Sequence, residues 1–269
     1  MIRKIRLRWF MRSAVLLPAL ALLFILGACG DDGGGGDDEA SADVQATLEA
    51  VVDAWNAEDV DAVLVHFTNA GLLSSFGAST REEAAATLPE VMGATIVLGE
   101  LEINVDGDAS TAEAKQWAIG ATLDPRLLSL TKEGDAWLID NEEKFPAEIP
   151  EGTTSVDLKA LEYEFTFDES AITSGNLAFA VENTGAEEHI VDLFRVPADM
   201  DIDQALRSDE EATGIESIGA TPPIEPGGES TMVFTGPLPA GRYALLCFVE
   251  AADGEEHALK GMWGDFTIE

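Results

Sequence analysis

One cysteine, two histidines and one methionine in the C-terminal part of the chain have the types and spacing of a metal-ligand set. Cys247, His257 and Met262 stand as C-x9-H-x4-M inside GRYALLCFVEAADGEEHALKGM, residues 241–262, and His189 lies upstream in VENTGAEEHIVDLF. A thiolate, two imidazoles and a thioether suit copper in either oxidation state, with the two His and the Cys in a trigonal plane and the Met as a weak axial ligand. Each residue alone is weak evidence. Met and Cys are commonly core residues, and a single His on a strand is commonly structural. The conjunction is stronger, because it uses two of the three histidines in the chain.

The other cysteine, Cys29, ends a different motif. MIRKIRLRWFMR is a basic start, Ala14 to Gly27 is an apolar run of 14 residues, and Leu26-Gly27-Ala28-Cys29 closes it. The run is short of the roughly 20 residues that span a membrane, so residues 1–28 read as a signal peptide. Leu26-Gly27-Ala28-Cys29 resembles the bacterial lipobox, which implies a lipid on Cys29 and attachment to a bacterial membrane from the extracytoplasmic side, at the outer face of the cell membrane or in the periplasm. With no twin-Arg pair, the general secretion route is expected. Lipidation of Cys29 leaves Cys247 as a lone thiol in an exported protein, which calls for an explanation, and a metal thiolate supplies one. Residues 29–42, rich in Gly and acid, read as a flexible tether.

The chain has 269 residues and a formal net charge of −36. Removing the signal takes Arg3, Lys4, Arg6, Arg8 and Arg12 with it, leaving ten basic residues against 51 acidic ones. So acidic a surface is repelled by nucleic acid, stays soluble, and attracts cations or a basic protein partner.

What remains is enough for two domains. In the first, residues 43–148, Val44, Leu48, Val51, Val52 and Trp55 mark one face of an amphipathic helix, and Val60, Val63, Leu64 and Phe67 mark a second short one. Thr80-Arg81-Glu82-Glu83 reads as a capping box opening a helix toward Met92. Strand patterns follow over 94–105, 111–119, 127–132 and 136–141, with turns at Asp106-Gly107-Asp108 and Glu133-Gly134-Asp135. Helices first and a meander after them predict an α+β domain, helices on a curved antiparallel sheet. AWNAEDVDAVLVHF early and LTKEGDAWLID late resemble the nuclear transport factor 2-like cone fold, which includes SnoaL-like domains. The resemblance implies a pocket that many members use for binding or dimerisation. His66 reads as a hydrogen-bonded histidine at the core edge, and Trp117 and Trp137 as core or pocket lining. No catalysis is assigned to this domain.

Lys144 to Gly152 is a Pro- and Gly-bearing boundary, with residues 149–152 as the linker. Residues 153–269 read as seven or eight short strands punctuated by Gly and Pro, a β-sandwich, with 199–228 as a surface insertion holding one or two helical turns near Ile202, Ala205 and Leu206. VENTG followed by His189, then PGGES at 226–230, PAGRYALLC at 239–247, His257 and Gly261-Met262 resemble a cupredoxin over this whole segment. The resemblance implies an all-β Greek-key sandwich holding one type-1-like copper ion at one end through His189, Cys247, His257 and, axially, Met262. It also implies that His257 is the exposed edge through which an electron passes. The loop departs from the small blue-copper proteins: it is longer, it carries Glu250, Asp253, Glu255 and Glu256 as competing donors, and Ile190 stands where a polar brace is common. Gly261 is expected to let the loop bend so that Met262 approaches the metal.

The expected function is one-electron transfer by an exported, lipid-anchored copper protein rather than an enzyme, since three histidines are too few for a multicopper centre. Copper buffering or delivery, and a metal-free binding module, are the alternatives. The expected partners are the membrane, through Cys29, and a redox or copper-handling protein, with pairing of two copies through the first domain left open.

Overall fold

The computed structural model describes residues 35–208 and 212–269. The signal, Cys29 and the first part of the tether lie outside them. No helix among the described residues is long and apolar enough to cross a membrane.

The first domain opens with α1 (Gly35–Asn56), α2 (Val60–Leu64), α3 (Asn69–Phe76) and α4 (Arg81–Val91). The α1 face predicted from spacing is the buried one: Val44, Leu48, Val51 and Val52 lie in the core, with Trp55 packed at its edge. The helix starts earlier than expected, inside the segment read as tether. Its Ala-containing sequence favours helix, and Asp38 and Glu39 near the start complement the positive helix N-terminus. Thr80 caps α4 by accepting from the Glu83 N–H, and Glu83 Oε2 accepts from the Ser79 N–H at 2.8 Å. That is a capping box shifted by one residue. Helix α3 was not expected. Its signals are an N-cap, Thr68, and a left-handed C-cap, Gly77.

The stretches 94–105 and 111–119 are each interrupted, while those at 127–132 and 136–141 extend beyond the patterns. The elements are β1 (Ile96–Val97), β2 (Glu102–Asp106), β3 (Ala109–Ala114), β4 (Ala118–Ile119), β5 (Thr122–Leu123), β6 (Arg126–Glu133) and β7 (Ala136–Lys144). The main sheet runs β2-β3-β6-β7, antiparallel throughout, and β1-β4-β5 form a small second sheet. The β6–β7 pairing shifts register between Ser129 and Leu130, an irregularity of the kind that bends a strand. Trp117 and Trp137 are buried in this core, with the Arg126 guanidinium over the Trp117 ring.

The second domain contains β8 (Thr154–Leu161), β9 (Glu164–Phe167), β10 (Leu177–Asn183), β11 (Asp192–Val196), α5 (Ile202–Arg207), β12 (Glu216–Ala220), β13 (Glu229–Val233), β14 (Gly241–Leu246) and β15 (Trp263–Ile268). They form two sheets, β13-β10-β8-β9 and β12-β11-β14-β15, with β8 and β10 parallel and the other pairs antiparallel. Alternate residues of β8 (Val156, Leu158 and Ala160) and of β10 (Leu177, Phe179 and Val181) fill the space between the sheets. Phe179 and Phe266 pack at 5.7 Å, and Tyr243 stacks on Phe266 at 5.4 Å. The expected class, an α+β domain followed by a β-sandwich, is the one observed. The insertion is not all loop: besides α5 it carries β12, an edge strand on β11 whose Ile218 is buried in the core.

The linker does not separate the domains cleanly. The first domain's Ala121 N–H donates to Ile218 O at 2.9 Å, and the Thr235 N–H donates back to Ala121 O at 2.9 Å. Ala147 and Ile149 pack against Ala178 and Val233 of the sandwich. Gly219 permits the close approach: a Cβ there would lie 2.2 Å from Thr122 Oγ1. Gly219→Val is expected to push residues 120–123 off the sandwich. The cost is about 1–3 kcal/mol. Limited proteolysis should show faster cleavage between the domains, and unchanged cleavage would refute the docking.

Candidate metal centre

Three predicted ligands meet at one end of the sandwich. Cys247 follows directly on β14. Its N–H donates to Met262 O at 3.2 Å, and its carbonyl accepts from the Ala258 N–H at 2.7 Å. His257 starts a 3-10 turn, His257–Lys260, with its N–H on Val249 O at 2.8 Å and its carbonyl accepting from the Met262 N–H at 2.9 Å. Sequence proximity becomes spatial proximity because β14 and β15 pair up to Leu246 opposite Trp263, so the residues between them must close on themselves. Gly261 makes the bend with φ +112°, a left-handed conformation that a side chain disfavours.

His189 arrives from elsewhere in the fold. It sits before β11, exchanging backbone hydrogen bonds with Ile224 at 3.1 and 2.8 Å. The approach is held by Asn183, fully buried, whose Nδ2 donates to Glu187 O at 2.8 Å and Ile224 O at 2.7 Å, while its Oδ1 accepts from the Gly185 N–H at 2.9 Å. In the sequence Asn183 stands only as part of the VENTG stretch, with no sign of this bridging role.

The two Nδ1 atoms lie 3.1 Å apart, and Cys247 Sγ lies 3.9 Å from His189 Nδ1 and 3.6 Å from His257 Nδ1. In a trigonal centre with bonds of about 2.0 Å to nitrogen and 2.3 Å to sulfur, as for zinc, the donors stand about 3.5 Å (N to N) and 3.7 Å (N to S) apart. The three donors are therefore within a few tenths of an ångström of enclosing a first-row ion. All three side chains are fully buried, as is Met262, which belongs to the same core cluster as Cys247. Burial holds the His189 imidazole below its ordinary pKa, helped by neighbouring His257 and opposed by Glu162 and Glu187, which favours the neutral form that ligates metal.

The loop carboxylates do not join the donor set. Asp253 and Glu255 turn to the Lys260 ammonium at 2.5 and 3.5 Å, Glu250 is exposed, and Glu256, though buried, lies outside the cluster. His66 stays in the first domain, partly buried, its pKa lowered by burial. Among the described residues His189, Cys247 and His257 are the one group with metal-ligand spacing.

One expectation is overturned. His257 is not an exposed edge; its side chain is wholly covered. The Tyr163 ring lies edge-on to it at 5.3 Å, and Glu187 Oε2 lies 2.8 Å from its Nε2. Tyr163 comes from the tip of the β8–β9 hairpin, a long-range placement that local sequence does not signal.

No family model and no curated protein matches the sequence. Solved structures with similar parts include a dithionite-reduced auracyanin from the photosynthetic bacterium Roseiflexus castenholzii, 25% identical, covering 44% of this chain and 98% of that one with a TM-score of 0.29. They also include an NTF2-like protein of unknown function from Pseudomonas putida KT2440, 13% identical, covering 44% of this chain and 93% of that one with a TM-score of 0.34. A putative dehydratase of the NTF2-like family from Streptomyces avermitilis is 15% identical, covering 41% of this chain and 98% of that one with a TM-score of 0.33.

Proposed function

We propose that the protein is an exported, lipid-anchored copper protein that passes single electrons. The observation that carries this reading is the convergence of two imidazole Nδ1 atoms and one thiol sulfur, all fully buried, with no carboxylate among them. This donor set fits copper in both oxidation states, and a bound copper ion would supply a one-electron couple. Cys247 and His257 are held by hydrogen bonds between their own segments, and His189 by its pairing with Ile224 just before β11, which pairs with β14, so the fold itself supports the donor positions. Met262, one hydrogen bond from Cys247 along the backbone, is the proposed axial donor. Neither domain is assigned catalysis.

With His257 covered, the electron path to a partner runs through the side chains over it, Tyr163 and Glu187. The proposed partner is a redox or copper-handling protein with a basic face, and association should slow as salt rises, given ten basic against 51 acidic residues once the signal is removed. Attachment through Cys29 would keep the copper domain beside the membrane, and pairing through the first domain remains a proposal that ultracentrifugation would decide.

Adding Cu(II) to the full-length protein is expected to give one equivalent of bound copper, an intense thiolate-to-copper charge-transfer band and compressed hyperfine splitting. A weak, ordinary Cu(II) spectrum would shift the reading to copper buffering or delivery. No binding would leave a metal-free module. Binding should also stabilise the fold. At copper a hundredfold above Kd the gain is about 2.7 kcal/mol, and calorimetry should show Tm rising by about 5–10 °C and falling back when a chelator removes the metal.

A further inference from the structure

The edges of the two imidazoles that face away from the thiol meet carboxylates carried by two different loops. His257 Nε2 lies 2.8 Å from Glu187 Oε2, and His189 Nε2 lies 3.9 Å from Glu162 Oε1. The first pair is close but off the N–H axis, so neither atom makes a well-formed hydrogen bond, and both Nε2 atoms are buried without another acceptor. A buried imidazole N–H needs an acceptor, and these carboxylates are the ones within reach.

The two carboxylates are built into one assembly. Glu162 accepts from the Ala186 N–H and, at 2.9 Å, from the Glu187 N–H, which ties the β8–β9 hairpin tip to the loop that carries Glu187. Those bonds hold the Glu162 carboxyl below its ordinary pKa. The loop's Gly185 leaves no room between them: a Cβ there would stand 2.5 Å from Glu162 Oε1 and 3.0 Å from His189 Nε2. Tyr163, next to Glu162, takes φ +65°, a left-handed conformation costing about 1–3 kcal/mol in a residue of this kind. The strain is spent where the ring covers His257 and lies beneath the Lys260 ammonium at 5.2 Å.

We infer that Glu187 is a positioning residue for the copper site, its carboxylate holding the Nε2–H edge of His257 so that Nδ1 points at the metal, with Glu162 acting more weakly on His189. The inference rests on the copper reading above and extends it to residues outside the ligand set. A carboxylate on the far side of a ligating imidazole fixes the tautomer and ring orientation and raises the basicity of the ligand nitrogen. Its negative charge beside a buried centre also favours the more positive metal state, so with Glu187 present the site should hold Cu(II) more tightly relative to Cu(I).

The test uses the full-length protein, Glu187→Ala, Glu187→Gln and the control Glu188→Ala, which removes the same charge one residue along. Cu(II) and Cu(I) affinities would be measured by chelator competition, with the charge-transfer spectrum and reduction potential of each. Glu187 is about one-third exposed, so the metal-free variants should still fold, with Glu187→Ala melting at most a few degrees below wild type because His257 Nε2 loses the acceptor beside it. Glu187→Ala is expected to weaken Cu(II) binding by about 10–100-fold. If Cu(I) binding weakens tenfold less, the potential rises by about 59 mV. Glu187→Gln, which keeps an acceptor, should fall between Glu187→Ala and wild type, and Glu188→Ala should match wild type. A wild-type spectrum, affinity and potential in Glu187→Ala would overturn the inference alone. Equal effects from Glu187→Ala and Glu188→Ala would overturn positioning in favour of bulk charge. Failure of the wild-type protein to bind copper would remove the copper reading itself.

Discussion

Cys247→Ser is expected to abolish the charge-transfer band and to weaken copper binding by about 10²–10³-fold. The magnitude follows from a four-donor site worth about 10–16 kcal/mol, shared among its ligands. A hydroxyl does not ionise at neutral pH as a metal-bound thiol does, so the variant offers two imidazoles and a weak thioether at most. The fold should survive, because oxygen is smaller than sulfur and two imidazole nitrogens lie near, at 3.6 and 3.9 Å from the sulfur it replaces. Burying the hydroxyl costs about 1–3 kcal/mol. The metal-free variant should therefore melt a few degrees below wild type while its copper spectrum becomes weak and ordinary. An intense visible band persisting in Cys247→Ser would sink the type-1 assignment, whatever the affinity.

The candidate donor cluster was legible in the sequence to different depths. Cys247 and His257 are close along the chain, and the loop between two paired strands has to close, so spacing alone points to their coming together. His189 comes from another part of the sandwich: residue type nominated it, and the resemblance of the VENTG-to-His189 stretch and the GRYALLC run to a known family gave it its place. The α1 face and the Thr80 cap were legible for the same local reason. What was hidden depends on tertiary neighbours. Glu162 and Glu187 look in sequence like two of many solvated acids, and only the hairpin tip folding over the loop sets them against imidazoles. The burial of His257 was missed because its cover, Tyr163, comes from β8–β9, nearly a hundred residues earlier. Strand β12 was hidden in an acid-rich insertion, where Ile215 and Ile218 are too few to show a period. The docking of residues 120–123 on the sandwich is a β-pairing between domains, carried by backbone groups that have no sequence signature.

Asn183→Ala is the substitution outside the ligand set with the largest expected effect on both stability and metal binding. Its amide donates to Glu187 O and Ile224 O and accepts from Gly185, tying together the turn after β10, the loop carrying Glu187 and the segment that pairs with His189. Alanine leaves those buried groups short of a partner. Ile224 O keeps the His189 N–H, so the loss is less than three full hydrogen bonds, about 2–4 kcal/mol. Calorimetry should show Tm falling by about 5–15 °C. Copper affinity should fall by roughly tenfold or more, since His189 and Glu187 lose their common anchor. Asn183→Asp separates geometry from size: it keeps the acceptor for Gly185 but sets carboxylate oxygens against the carbonyls of Glu187 and Ile224, and should destabilise at least as much as alanine. Wild-type stability in Asn183→Asp would show that the amide donors carry nothing. A drop in stability with copper affinity unchanged would show that the loop positions His189 without Asn183, and that the ligand geometry is set by the His189–Ile224 backbone pairing alone.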